Sequence, residues 1–240
     1  MRNSQAVGLD EAPTEGPAKE SNTQQDDQLN GLHDGLPSHP LSKAEIQELL
    51  DYYFTTVHQT LPIISRSSFS TWSNDGNPSD AAFKTCFDSL LCAAIQHAQL
   101  TGTNVSLNRR DEYWEYLREA LSNTGNILIA TPSIHAVQAL AALVACAQHT
   151  NDGADKGHPF LAVAIRFAYA LNLHHLDEEV GLCVVERLEL IRLFWCLNIL
   201  DRSISLRLHL PPMIDDRDVC VLTPKMYSVD RLGLVGLPTK

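Results

Sequence analysis

The segment from residue 184 to residue 208 constrains the fold of this chain most, because it is a long helical pattern whose middle is apolar on every side. Residues 193–197 (LFWCL) leave no polar face, so we expect other elements to cover this part of the helix, with Trp195 as the anchor of the core. The pattern stops before Pro211, since proline cannot continue a helix.

Polar residues interrupt this helix at Asn198, Asp201, Arg202 and Ser205, a spacing that places them on one face. Three interpretations compete: a stripe that faces solvent, a buried network of paired side chains that fixes how neighbouring helices dock, and a catalytic or ligand site. Adjacent helical residues point about 100° apart, so Asp201 and Arg202 cannot pair well with each other. A buried carboxylate without a partner is costly, and each residue therefore needs a partner from another helix or a backbone end. We favour a structural role, because paired networks are commoner than catalytic sites.

Two helices are predicted near the start of the ordered region. Ser42 and Glu45 form a capping box that opens the first, and Pro62 ends that element. Asp80 is placed to cap the second, which Gly102 is placed to stop.

Three more helices are predicted before the long apolar one. A shorter pattern runs from about 111 to 122 and closes near Gly125. The next opens with Pro132 at its first helical position, where the missing N–H is not needed. The last starts near Pro159 and ends with Asn172 in a left-handed cap.

The fold class follows from these patterns. No segment alternates apolar and polar residues for long enough to indicate a strand, so we expect an all-α bundle of six or seven helices. Residues 1–41 contain no aromatic residue and are rich in acids, which predicts a disordered acidic tail. The helical domain is expected at residues 42–222, and residues 223–240, which lose the helical period, form an irregular tail.

Charge and cysteine spacing exclude some functions. The net charge of -11 argues against direct binding to nucleic acid or to an anionic membrane, since both need a basic face. No two of the six cysteines are separated by two residues, so no zinc-binding motif is present, and we expect free thiols and no cofactor.

The long helix and the segment after it resemble the signature of the fungal-specific transcription factor domain, the helical middle homology region of binuclear zinc-cluster regulators. The residues that match this signature are Arg192, Phe194, Trp195, Asp201, Arg202, Ser205, Pro211, Pro212, Ile214, Asp215, Asp216 and Asp218. Three earlier stretches are also similar to the family. In the first, the matching residues are Tyr53, Phe54, His58, Pro62, Ile63 and Phe69; in the second, Gln138 and Leu140; in the third, Arg166, Ala168, Leu171, Leu173 and His174. The chain departs from the family at Asn172, where glycine is usual, and at His175, where arginine is usual.

The resemblance implies an all-α regulatory domain without catalysis, in a nuclear protein that controls transcription. The zinc-cluster DNA-binding module of the family, six closely spaced cysteines on a basic segment, does not occur in residues 1–41, so the chain is not expected to read DNA itself. We expect either a stand-alone module or a fragment of a full-length activator. Its partner is expected to be a small-molecule effector held between helices or a protein, such as a DNA-binding relative with which it dimerises; the sequence favours neither.

An enzyme is the contrasting alternative. The acidic run at Asp215, Asp216 and Asp218 is similar to magnesium-binding motifs of all-α isoprenoid enzymes, in which carboxylates bridge the metal to a diphosphate. Such a site needs several oxygens that converge on one point, and no second acidic motif is present. A solvated turn, or a cap for a following helix, is the simpler interpretation.

Overall fold

The computed structural model describes residues 41–75, 80–103, 113–150, 153–176 and 181–219. The predicted acidic tail, apart from residue 41, and the predicted C-terminal tail lie outside these ranges, and the domain boundaries stay a prediction. Seven α-helices occur in the described ranges, and no strand does, which confirms the all-α prediction. They are α1 (Lys43–Thr55), α2 (Arg66–Asp75), α3 (Ala81–Thr101), α4 (Tyr113–Leu128), α5 (Ile134–Ala147), α6 (Gly153–Ala170) and α7 (Val184–Leu208).

The central helices of the bundle are α3 and α5. Helix α3 packs against α1, α4 and α5, while α5 also contacts α4, α6 and α7. Every residue of α5 from Ala136 to Val144 is buried, and four of these nine are alanines, which allow neighbouring helices to approach closely. Helix α7 lies over α5 and α6, so the long apolar helix is covered by two others, as its sequence requires.

The first helix begins as predicted. Ser42 Oγ accepts the N–H of Glu45, and the Glu45 carboxylate accepts the N–H of Ser42, which completes the capping box. Leu41, which the sequence places in the tail, is only 3% exposed and belongs to the core, as does Ile46. These are the two positions of a hydrophobic staple, so the ordered chain includes the residue before the cap.

Helix α2 was not predicted. Its first turn is capped by Ser65, whose Oγ accepts the N–H of Ser68 at 3.0 Å. Phe69 and Trp72 are buried one turn apart, and the Phe69 ring stacks on Phe83 of α3 with centroids 5.7 Å apart. This aromatic contact attaches α2 to the central helices.

Two predicted helix ends are confirmed by left-handed residues. Gly102 follows α3 with φ of 66°, and Asn172 follows α6 with φ of 56°. At the second end, the N–H of Leu173 donates to the carbonyl of Ala168 at 2.9 Å, which satisfies a carbonyl that the helix leaves open. Asparagine therefore fills the place where the family usually has glycine.

Three predicted boundaries are wrong. Helix α4 continues through Gly125 to Leu128, because Ile127 extends its buried face. Helix α5 begins at Ile134 after Ser133, whose Oγ accepts the N–H of Ala136 at 3.1 Å; Pro132 thus precedes the cap. Helix α6 begins at Gly153, six residues before Pro159, which lies exposed inside it and removes one backbone hydrogen bond.

The core around α7 differs in one respect from expectation. Phe194 is fully buried, whereas Trp195 is only partly buried against the core, so Phe194 is the aromatic anchor.

Cys92 and Cys146 are buried free thiols, and the Cys146 thiol donates to Cys92 Sγ at 3.2 Å across the contact between α3 and α5. Within the described ranges, no helix is long and apolar enough to cross a membrane.

Candidate functional site

The site that the sequence singled out lies at the C-terminal end of α7 and in the segment that follows. Helix α7 ends at Leu208, and His209 takes a left-handed conformation with φ of 55°, which turns the chain back. Pro211 and Pro212 cannot continue the helix, and residues 213–216 return along the last turns of α7.

Asp201 is completely buried, with 0% of its surface exposed, and accepts hydrogen bonds on both carboxylate oxygens. The N–H of Met213 donates to Oδ1 at 3.1 Å, and the N–H of Ile214 donates to Oδ2 at 2.9 Å. Ser205, one turn further along α7, donates to Oδ1 at 3.3 Å. A carboxylate that accepts several N–H and O–H donors offsets the cost of its own burial, so Asp201 is a structural acceptor.

Arg202 bonds to the other side of the same backbone segment. Its Nη2 donates to the carbonyl of Ile214 at 3.1 Å and pairs with the Asp216 carboxylate. Asp201 thus satisfies the N–H of Ile214, and Arg202 satisfies its carbonyl. Because both polar groups of its backbone are paired, Ile214 can place its side chain in the core, where it is 1% exposed.

We call this arrangement the Asp-Arg clamp: Asp201, Arg202 and Ser205 of α7 together with residues 213–216. The sequence predicted that Asp201 and Arg202 would need separate partners, and this is confirmed. Of the three interpretations, the structure favours the buried and paired network. Its main partner is the backbone just after α7, however, and not a neighbouring helix.

Helix α6 adds a residue that the sequence did not indicate. Burial and, next, the carboxylates of Asp218, Asp215 and Asp201 raise the pKa of Tyr169. The Tyr169 ring also meets Phe194 edge-on, with centroids 6.4 Å apart. A hydrogen bond with the Asp215 backbone partly offsets this rise in pKa and joins Tyr169 of α6 to the clamp, a contact that no local sequence pattern could reveal.

The acidic run is held by arginines. The Arg217 side chain donates to the Asp215 carboxylate and, with the Arg217 backbone N–H, lowers the pKa of Asp215 to about 2. Asp215 also caps a short 3-10 turn, Asp216–Asp218, and Asp216 pairs with Arg202. In the part of the chain that the structure describes, no group of three or more His, Cys, Asp or Glu residues could hold a metal ion. The magnesium-dependent alternative therefore has no structural support.

The first of the other stretches that resemble the family, residues 53–69, packs against the core. The ring of Phe54 lies 5.8 Å from that of Phe69 and also carries the Arg66 guanidinium over its face. Ile63 is buried, and His58 lies within 6.3 Å of the Tyr53 ring, with a pKa lowered by burial. These residues contact one another but lie apart from the clamp along the chain, and their positions indicate packing.

Comparison with known proteins decides the family. Residues 50–226, most of the chain, match the family described as the fungal specific transcription factor domain. The chain belongs to this family. Six of the twelve residues that resemble the family signature lie in the clamp, and the structure gives a physical reason for them. Asp201 and Arg202, at successive positions of a helix, both bond to the backbone of Ile214 after the prolines.

Several curated fungal proteins are similar to this chain. Two are named ABC-transporter-regulating transcription factor, from Aspergillus oryzae and Aspergillus fumigatus; each is 30% identical over 145 residues, 60% of this chain and 16% of the relative. The fusaridione A cluster transcription factor of Fusarium heterosporum is 24% identical over 187 residues, 76% of this chain and 35% of that protein. The match thus spans only a small part of the length of the first two relatives. No solved structure matches the chain significantly.

Proposed function

We propose that this chain is a regulatory and interaction domain of a transcription regulator, that it acts in the nucleus through protein partners, and that it carries out no catalysis. The observation that carries the proposal is the Asp-Arg clamp in a chain of this family: the charged residues that suggested chemistry are used to fix the backbone. Asp201 is fully buried, so it offers no surface on which a substrate could react.

The charge of the chain supports an indirect route to DNA. A net charge of -11 is unfavourable for phosphate contacts, so the DNA contact would come from a DNA-binding module, either of a partner or of the same regulator. Dimerisation with a DNA-binding relative is one such arrangement. The relatives are named as ABC-transporter-regulating transcription factors and as a fusaridione A cluster transcription factor, which supports a role in transcription without identifying the genes.

A tethering experiment tests the proposal. The full chain, fused to a heterologous DNA-binding domain, should raise or lower the expression of a reporter gene that carries the matching DNA site. The Asp201→Asn fusion should lose most of this effect because the clamp is weakened, whereas Asp216→Asn, at the exposed rim, should keep it. A wild-type fusion that is expressed, nuclear and without any effect on the reporter would refute the regulatory role.

A further inference from the structure

A cavity of about 330 Å³ lies where α1, α3, the end of α5 and α7 meet. We call it the Gln148 pocket. Its walls include Leu90 of α3 and Leu200 of α7, and Gln148 and His149 lie together at the end of α5. The volume is at the lower end of the range for pockets that bind small molecules, and pockets between helices are a common place for such sites.

Only the oxygen of the Gln148 side-chain amide has a hydrogen-bond partner among the described residues. Its Oε1 accepts the hydroxyl of Ser203 at 3.0 Å, which fixes the orientation of the side chain. Its Nε2 is buried and has no hydrogen-bond partner among the described residues. A buried N–H donor without an acceptor is unfavourable, so an oxygen acceptor from a bound molecule would remove this cost.

One cation lies beside the Gln148 backbone, although the chain as a whole is acidic. Arg207 Nη1 donates to the carbonyl of Gln148 at 2.9 Å. Burial and, next, the nearby Arg207 and His97 lower the pKa of His149, which favours the neutral imidazole. Among the described residues that line the pocket, none is Asp or Glu. An oxygen acceptor is therefore favoured here, because Gln148 Nε2 offers a donor and Arg207 is a nearby cation, and an ammonium group is disfavoured.

We propose that the Gln148 pocket binds a small monocarboxylate with an aliphatic or aromatic tail. The carboxylate would accept from Gln148 Nε2 beside His97 and His149, and the tail would lie against Leu90 and Leu200. At roughly 30 Å³ for each water-sized group, the cavity has room for about ten non-hydrogen atoms. The proposal goes beyond the regulatory role and does not depend on it, because binding is measured on the isolated chain.

Isothermal titration calorimetry of the full chain with three probes of equal tail length tests the ligand class. Octanoate should bind saturably at one site, 1-octanol should bind about tenfold more weakly, and octylamine should show no saturable binding. Replacement of the donor, Gln148→Leu, should reduce the preference for octanoate over 1-octanol about tenfold. The absence of octanoate binding, or octylamine binding as tight as octanoate, would overturn the proposal.

Variants of the pocket walls test the location. Ala145→Leu and Ala93→Leu each fill the cavity from a different helix, and either one should abolish octanoate binding. Leu206→Ala is the matched control, since Leu206 lies on α7 outside the cavity and is 78% exposed; it should bind octanoate like the wild type. Circular dichroism identifies folded variants. If a folded variant with a filled cavity kept wild-type affinity, the site would be elsewhere and the assignment wrong.

Discussion

The change from Asp201 to Asn tests the clamp most directly, because it removes the charge and keeps the shape. In the wild type, both carboxylate oxygens accept backbone N–H groups, from Met213 at 3.1 Å and from Ile214 at 2.9 Å. An amide has only one oxygen, so one of these two N–H groups would face the NH₂ group of the new side chain. That contact replaces an acceptor with a donor at a position that is 0% exposed.

The magnitude follows from the bonds that are lost. A hydrogen bond to a charged acceptor contributes about 1.5–3 kcal/mol, and a buried donor left without an acceptor costs about 1–3 kcal/mol. These two effects overlap, and part of the loss is relieved by small shifts, so we expect the free energy of unfolding to fall by about 2–4 kcal/mol. For a domain of this size the melting temperature should fall by roughly 5–15 °C.

Urea denaturation followed by far-UV circular dichroism measures this loss. Asp216→Asn is the control, because the Asp216 side chain is 82% exposed and its ion pair with Arg202 lies at the rim, so the change should cost less than about 1 kcal/mol. A catalytic or ligand-binding carboxylate would behave in the opposite way, since relief of a strained buried charge is often neutral or stabilising. An Asp201→Asn variant as stable as the wild type would therefore refute the structural interpretation of the clamp.

Four further predictions concern single residues of the core and of the helix ends. Phe194→Ala should lower the free energy of unfolding by about 3–5 kcal/mol, and Trp195→Ala, at a partly exposed position, by clearly less; urea denaturation that gave the reverse order would contradict the assigned core. Gly102→Ala should lower the free energy of unfolding by about 1–2 kcal/mol in melting experiments. An added Cβ would contact no other atom, so the loss comes only from the strain of an alanine at φ of 66°. Gly125 lies inside α4, and a Cβ added there would also contact no other atom. Gly125→Ala should therefore raise the free energy of unfolding by about 0.5–1 kcal/mol, and a decrease would be evidence that α4 does not continue through this residue. Burial lowers the pKa of His58 in the folded state, whereas in the unfolded chain its pKa is about 6.5. Below about pH 6.5 the unfolded chain therefore binds more protons at this residue, and the free energy of unfolding should fall as the pH drops. His58→Phe should reduce this fall. Denaturation at a series of pH values measures it, and an unchanged pH dependence in the variant would mean that other groups are responsible.

Helix ends were predictable where the terminal residue itself supplies the chemistry. A serine hydroxyl with a glutamate three residues later, as at Ser42 and Glu45, is sufficient to satisfy the open N–H groups of the first turn. Gly102 and Asn172 are tolerant of the left-handed conformation that ends a helix. Each of these signals is local, so the rest of the fold does not alter it.

Other boundaries depend on contacts between distant residues, and local rules failed there. Gly125 does not end α4, because burial of Ile127 outweighs the small preference of glycine for other conformations. Pro159 does not begin α6, since the loss of one hydrogen bond near the helix start is smaller than the gain from the added turns. Helix α2 had a usable signal, the spacing of Ser65, Ser68 and Phe69, but its many serines make the pattern weak.

The candidate site was predictable only in part, for a physical reason. That Asp201 and Arg202 need separate partners follows from their divergence on a helix. The identity of the partners does not follow, because Asp201 binds backbone N–H groups, and every residue except proline carries one. Gln148 and Ser203 of the pocket are likewise 55 positions apart in the chain, and neither belongs to a motif.

Helix α7 contributes to both the clamp and the Gln148 pocket, through different residues. Asp201 and Ser205 bind the returning segment, while Leu200 and Ser203 line the cavity. Consecutive helical residues point about 100° apart, so a change at one site leaves the side chains of the other in place. Asp201→Asn, measured well below its melting temperature, should therefore keep the wild-type preference for octanoate over 1-octanol, while Gln148→Leu should lose the preference and keep most of the stability. If calorimetry showed that Asp201→Asn abolishes octanoate binding in the folded protein, the two sites would be coupled through α7, and the clamp would have a role beyond the support of the fold.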